Sequence, residues 1–324
     1  MYPTISIIVP YYKQSHTLPR LFDSIIKQSY DSLEVILVDD HSEDCVDEIV
    51  KQWINKGLKI NLITEPSRVY TLQCRLDGIK HAQGQVIGFA DADDVLWGTE
   101  SLRKNINIFL KSNTDILHFR SVIINNAGEF IKYAAPADPF AKLLESKQQI
   151  FEYFCKADLY GCSSLWNKLF SKKICQNVLS CYTEHFRLRC EDGWLLINLL
   201  LQSQKYIGSD EIGYGYCWRE RRQTINPERT IAHFQAYKYI PKLLLDHGIK
   251  AEYVNLLKSS IKNLFCKTAG HMCAACLKLS HDELTNHVQS LTKGSSYSDI
   301  LTALLIANGM NAERLLYISD FQHH

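Results

Sequence analysis

The apolar positions of the first hundred residues switch repeatedly between two spacings. Ile5-Ser6-Ile7-Ile8-Val9 is a β-branched run of the length of a strand buried on both faces. Leu18, Leu21, Phe22, Ile25 and Ile26 then recur at helical spacing. Glu34–Val38 reads as the next strand, with Ser42 as the expected N-cap of a helix through Val46, Ile49, Val50 and Trp53 that Gly57 ends. Leu58–Ile63 and Val86–Ala90 predict two further strands. Leu72, Leu76 and Ile79 predict a helix ending near Gly84, and Leu102, Ile106, Phe109 and Leu110 another. Alternating strands and helices with short connections imply parallel strands covered by helices on both sides, a doubly wound α/β beginning.

Beyond Asp115 the pattern is mixed. Ile116–Ile124 predicts a strand, Asn125–Gly128 a turn and Phe130–Tyr133 a weaker strand, followed by a loop over Ala134–Pro139. Leu143–Phe154 predicts a helix, Ser163–Phe170 a strand, Trp194–Leu201 a buried helix, and Tyr206–Gly208 and Gly213–Trp218 two late strands. From about Thr230 the pattern is helical throughout. The partition expected is a catalytic domain over 1–228, divided into halves 1–115 and 116–228, and a helical C-terminal region over 229–324.

Composition narrows the class. The 324 residues carry a net charge of +1, which predicts no general attraction for nucleic acid, so an anionic ligand must be held by local chemistry. No apolar run reaches the ~18–20 residues that span a bilayer, and no basic-then-apolar leader opens the chain, which together predict a cytoplasmic protein. The 11 cysteines are scattered and odd in number, as expected of reduced, mostly buried thiols. Cys273 and Cys276 after His271 have half of a zinc spacing, but no second pair follows, and a shared helix face explains them as well.

The chemistry concentrates at strand ends, where open parallel sheets bind ligands. Asp39-Asp40 follows one predicted strand and Asp91-Ala92-Asp93-Asp94 another. Adjacent carboxylates repel unless a cation or hydrogen-bond donors sit among them, which suggests a hard divalent ion such as Mg2+ or Mn2+. The Asp-x-Asp spacing is weak by itself, since about one match arises by chance in an ordinary chain. Its position after a buried strand gives it weight.

These segments, taken in order, resemble glycosyltransferase family 2: Ile5–Val9 with Pro10-Tyr11-Tyr12, then Val35–Ser42, then Gly88–Asp94. The resemblance is good over about the first hundred residues and patchier to about Ile225. It implies a Rossmann-like GT-A fold with a mixed central sheet, a nucleotide-diphosphate sugar as donor (UDP-sugar by family expectation), Mn2+ or Mg2+, and inversion at the sugar.

By the same resemblance Asp39 and Asp40 lie against base and ribose, with Pro10 and Tyr12 shaping the pocket wall. Asp91 and Asp93 hold the ribose and the metal, with Ala92 between them counted in the donor site and Asp94 supporting them. Arg75 matches a nucleotide-pocket arginine, against a bland alternative of a surface helix arginine. The chain departs from the family pattern at Leu76, usually Asn, at His41, commonly Gly, and at Pro66-Ser67-Arg68, where glycines are expected.

In the second half, Glu191-Asp192 opens an apolar helix and matches the family's Glu-Asp motif, with Asp192 as the general base and Glu191 helping to orient it or the acceptor. Trp218-Arg219-Glu220-Arg221-Arg222-Gln223-Thr224 resembles the segment that steadies the leaving diphosphate, Arg221 first and Arg219 and Arg222 as rivals. Trp166 is either a sugar-stacking face or core. The implied acceptor is a glycan, lipid-linked or other. Leu243, Leu244, Leu256, Leu257, Leu264 and Leu304 among basic residues leave open a peripheral contact at the inner face of the membrane. Two alternatives stand beside this: an inactive nucleotide-sugar-binding scaffold, and another metal-dependent nucleotide enzyme such as a nucleotidyltransferase. The latter is disfavoured because Pro10-Tyr11-Tyr12 stands where a Gly-rich loop with Lys would follow the first strand.

Overall fold

In the computed structural model, residues 4–134, 138–139, 142–156, 164–181, 191–218 and 240–257 are described. The β-branched runs form β1 (Ile5–Tyr11), β2 (Leu33–Asp39), β3 (Ile60–Thr64) and β4 (Val86–Phe89). These four pair in parallel in the order β3-β2-β1-β4. The intervening helices are α1 (Leu18–Ile26), α2 (Val46–Asn55), α3 (Tyr70–His81) and α4 (Ser101–Ser112).

Alternation along the strands sends side chains to two cores. Ile8, Ile36, Val38 and Ile87 join α3 on one face, whereas Ile7, Val9, Val35 and Leu37 join α1, α2 and α4 on the other. The sheet is thus covered on both sides, which explains the near-continuous apolar runs.

The second half extends the same sheet. β6 (Ile116–Ile124) carries the hairpin partner β7 (Phe130–Tyr133) through the turn at Asn125–Gly128, as the sequence predicts. β9 (Lys168–Ser171) runs antiparallel between β4 and β6, so the sheet is mixed. β10 (Tyr206–Cys217) runs parallel to β6 and pairs at its far side with the short β5 (Val95–Leu96) and β8 (Leu143–Leu144). α5 (Lys147–Lys156), α6 (Lys172–Cys181) and α7 (Glu191–Gln202) complete the face occupied by α3. Buried side chains between 240 and 257, among them Leu244, Val254 and Leu257, join that core too, and Tyr253 bonds Glu152 of α5.

Several expected elements change. Ser42 does not cap α2: the cap position is Cys45, and the Ser42 hydroxyl instead accepts the Lys13 N–H at 3.0 Å. The helix expected over Leu143–Phe154 begins only at Lys147, because Leu143–Leu144 is taken up by β10. The strand expected over Ser163–Phe170 is confined to Lys168–Ser171. The two late strands are one, with register shifts around Ile212 where polar Asp210 and Glu211 fall. Of the five cysteines with described thiols, Cys74, Cys155, Cys175 and Cys217 are buried and Cys45 is exposed. His271, Cys273, Cys276, Leu264 and Leu304 lie outside the described residues. Among the described helices none is long and apolar enough to cross a membrane.

Candidate donor and acceptor site

The carboxyl ends of β1, β2 and β4 converge with the N-termini of α3 and α7. α3 is held tightly to β1 because Gly78 has no Cβ: one built there would lie 2.3 Å from Ile8 Cγ2. One turn earlier, this close approach buries Arg75, which is 2% exposed. A surface role for it is excluded.

Arg75 Nη2 bonds Asp91 Oδ1 at 3.1 Å, and its Nη1 bonds Asp192 Oδ1. One guanidinium therefore joins the loop after β4 to the first turn of α7, 117 residues from Arg75 in the chain. Each carboxylate keeps about a third of its side-chain surface in solvent, 32% and 31%. Burial pushes the Asp91 carboxyl up to about 6; Arg75 opposes the shift, while Asp192 and Asp93 add to it.

Asp94 belongs to the scaffold. It is 1% exposed, and its oxygens accept the Tyr214 hydroxyl at 2.8 Å and the Cys217 N–H at 2.7 Å. Burial, then the neighbouring Asp91 and Asp93, raise its pKa well above the usual carboxylate range. The Tyr214 hydroxyl also accepts the Asp91 N–H at 3.0 Å, so one phenol on β10 fixes both ends of the acidic turn. From α1, Arg20 donates to the carbonyls of Asp93 and Asn126. Ala92 is buried against the α1 side of the sheet.

At the end of β2, Asp39 is 1% exposed and accepts the Ser42 N–H at 3.0 Å. Burial raises its pKa, and the bonds from Ser42 oppose that. Asp40 accepts the N–H groups of Val69 and Tyr70 on one oxygen and Arg68 Nε on the other. Pro10 is half-buried, and Tyr12 is exposed with the Arg68 guanidinium 3.5 Å over its ring. Lys13, His41 and Tyr70 all have φ between 50° and 67°. That left-handed conformation at His41 explains why a glycine suits the position.

Trp166 stacks with Tyr214 and Tyr216, at centroid distances of 4.7 and 5.6 Å. Behind it, the fully buried Lys168 donates to the Ser164 carbonyl and Asn167 Oδ1. Glu191 opens α7, but its side chain is outside the described residues, as are Arg219, Arg221 and Arg222. Tyr214, Arg68 and Arg20 were not singled out from sequence as site residues. The only sequence signals for them are a tyrosine between two glycines in a late strand and an arginine where glycines are expected.

A model of glycosyl transferase family 2 matches residues 6–179, more than half of the chain. The chain belongs to that family. Among its relatives are the UDP-Glc:alpha-D-GlcNAc-diphosphoundecaprenol beta-1,3-glucosyltransferase WfgD of Escherichia coli, 32% identical over 44% of this chain and 55% of the relative. Another is the amylovoran biosynthesis glycosyltransferase AmsB of Erwinia amylovora, 31% identical over 49% and 51%. The chain spans about half the length of these relatives. S. aureus TarS 1-349 in complex with UDP-GlcNAc shares the fold, with a TM-score of 0.66 and 18% identity over 94% of this chain and 81% of that one. The expected GT-A type architecture is therefore met.

Proposed function

We propose that this family 2 member is an inverting glycosyltransferase that takes a sugar from a nucleotide diphosphate, UDP first among candidates, and passes it to a glycan or lipid-linked acceptor. The observation that carries this reading is the Arg75 bridge, which brings the acidic turn after β4 and Asp192 to one guanidinium. The named substrates of WfgD, a UDP-sugar and a diphosphoundecaprenol-linked sugar, support the donor and acceptor classes.

In this reading Asp39, Pro10 and Tyr12 border the nucleoside, and Asp91 and Asp93 with Ala92 border the diphosphate. Asp192, oriented by Arg75, takes the proton from the acceptor hydroxyl as its oxygen bonds the anomeric carbon. The bond from that carbon to the phosphate oxygen breaks, and its electron pair leaves with the nucleoside diphosphate. Arg221 is assigned to that leaving charge, and Glu191 to orienting the base or acceptor.

Among the described residues no group of three or more His, Cys, Asp or Glu side chains could hold a metal on its own. The donor set nevertheless fits Mg2+ or Mn2+. Asp91 and Asp93 offer oxygens at a partly open turn, and such ions take one or two carboxylates plus substrate phosphate. Held there, the ion would neutralise charge developing on the leaving diphosphate. The proposed catalytic unit is 1–228, followed by a separate helical region over 229–324; the expected setting is the cytoplasm, with a lipid-linked acceptor as the reason a contact at the inner face of the membrane stays open.

The test is calorimetric titration with UDP, GDP and dTDP, each with Mn2+ and with chelator, beside Asp93→Ala, and turnover of Asp192→Asn on the sugar form of whichever nucleotide binds. The expected result is metal-dependent binding of one nucleotide, lost in Asp93→Ala. Asp192→Asn should keep that binding and lose turnover by at least about a hundredfold. A folded protein that binds none of the three overturns the donor site. Full turnover by Asp192→Asn overturns the base.

A further inference from the structure

The segment 164–168, just ahead of β9, has no part in the chemistry above, yet it holds polar groups that burial disfavours unless they are paired. Asn167, Lys168 and His118 of β6 are all 0% exposed. Lys168 Nζ donates to the Ser164 carbonyl at 2.6 Å and to Asn167 Oδ1 at 2.8 Å, and the Ser164 hydroxyl donates to the same amide oxygen at 3.0 Å. A lysine ammonium offers only donors, so the amide oxygen of Asn167 must face it and the amide nitrogen must face His118. That nitrogen lies 2.9 Å from His118 Nε2, which therefore accepts, and the imidazole proton sits on Nδ1, 2.9 Å from the Tyr206 hydroxyl. The backbone is tied as well. The Asn167 carbonyl accepts the Phe119 N–H at 3.0 Å, and the Leu165 carbonyl accepts the Lys168 N–H at 3.1 Å.

What this frame carries is Trp166. Leu165 and Asn167 on either side of it are fully buried, whereas Trp166 itself is half-buried. Its indole lies nearly parallel to two rings of β10, at a centroid distance of 4.7 Å and 18° to Tyr214, and at 5.6 Å and 20° to Tyr216. Tyr214 is the phenol that bonds both Asp94 Oδ2 and the Asp91 N–H. A stacked ring cannot tilt or withdraw without losing its contact, so a rigidly held Trp166 limits how far that hydroxyl can move from the acidic turn. We propose that Trp166 is a positioning residue for the donor site: held by the network of Asn167, Lys168 and His118, it clamps Tyr214 so that Asp91 and Asp94 keep the arrangement a nucleoside diphosphate meets.

This role rests on the donor-site reading and adds a residue that acts on the site through another. The sequence leaves Trp166 between a sugar platform and a core position, and the two functions separate by experiment. A nucleoside diphosphate lacks the transferred sugar and the acceptor. A tryptophan that stacks on either of those contributes nothing to nucleoside diphosphate affinity, whereas one that fixes the acidic turn does.

The experiment is calorimetry in Mn2+ with UDP, GDP or dTDP, whichever wild type binds tightest. It compares wild type with Trp166→Met, Trp166→Leu, Trp166→Phe, Tyr214→Phe and Trp166→Met combined with Tyr214→Phe, each well below its melting midpoint. Loss of the flat face in Trp166→Met and Trp166→Leu should weaken binding by about five- to tenfold. Trp166→Phe, which restores a flat ring, should stay within about threefold of wild type. In the Tyr214→Phe background, where the phenol bonds are already gone, Trp166→Met should weaken binding by less than about twofold more, because both changes act through one hydroxyl. Unchanged affinity in folded Trp166→Met and Trp166→Leu, or a loss that persists in full beside Tyr214→Phe, would overturn the positioning role and leave the donor site standing. A wild type that binds none of the three nucleotides overturns both.

Discussion

Replacing Tyr214 by Phe isolates one oxygen atom on which the acidic turn depends. The ring is fully buried and stacked with Trp166, and Phe retains that packing. What disappears is the bond to Asp94 Oδ2 at 2.8 Å and the bond from the Asp91 N–H at 3.0 Å. Asp94 is almost wholly buried, so its oxygen loses a partner that water does not readily replace. Leaving a buried polar group unpaired costs about 1–3 kcal/mol, and two are affected, so Tyr214→Phe should destabilise by about 3 kcal/mol. At roughly 2 °C per kcal/mol for a chain of this size, the melting midpoint should fall by about 6 °C in scanning calorimetry. Tyr133→Phe, on an exposed ring, should move it by less than about 1 °C. Because Asp91 and Asp94 both lose a restraint, nucleotide affinity should also fall, by about tenfold. A Tyr214→Phe protein that melts within 1 °C of wild type would refute the claim that this phenol fixes the turn.

Substitutions at three other positions probe the frame around it. Arg75→Met leaves Asp91 and Asp192 facing each other without their shared cation; chemical denaturation should show a loss of about 2–3 kcal/mol, the low end for a buried partner because each carboxylate is a third exposed. His41→Val places a β-branched residue at φ 58° and should cost about 1–2 kcal/mol, whereas His41→Gly should stay within about 1 kcal/mol of wild type. Gly78→Ala drives a methyl to 2.3 Å from Ile8 Cγ2 and should cost about 2–3 kcal/mol; combining it with Ile8→Ala should destabilise by less than the two separate effects added together, as a denaturation cycle would read.

Most strands and helices from Ile5 to Ser112 are legible because they bury an apolar run or a clear stripe, and burial on both faces of a parallel sheet leaves little ambiguity; β3, at the sheet edge, is only partly buried. What escapes the eye is short or polar. β5 and β8 are two-residue pairings that exist only because β10 passes beside them. Among its described side chains α6 fully buries Ile174, Cys175 and Val178, too few positions to announce a helix. β10 reads as two strands because Asp210 and Glu211 interrupt its apolar alternation where the ladder bulges. The acidic residues of the candidate site are legible for a different reason: a carboxylate pair directly after a buried strand is uncommon on packing grounds alone. Their partners are not legible. Tyr214 meets Asp94 across 120 positions, and that pairing is a matter of sheet register rather than sequence spacing.

The same long-range contacts bear on how the site can vary within a fixed fold. β9 lies between β4 and β6, so the two halves of the sheet share strands and cannot slide independently. The acidic turn is held from below by Tyr214 and Cys217 of β10, from the side by Arg20 of α1, and from above by Arg75 of α3. Tyr214 and Cys217 reach it through a buried phenol and a backbone N–H, and Arg20 through the Asp93 carbonyl. Arg75 is different, because its second carboxylate, Asp192, sits on α7 at the mouth of the second half. Any movement of α7 that accompanies acceptor binding must therefore stretch, break or carry with it a bond to the group that touches Asp91. On the proposed assignment Arg75 is the connection through which the acceptor side can act on the donor side, because the side chains that follow on α7, Trp194 to Ile197 and Leu199 to Leu201, are buried in the core.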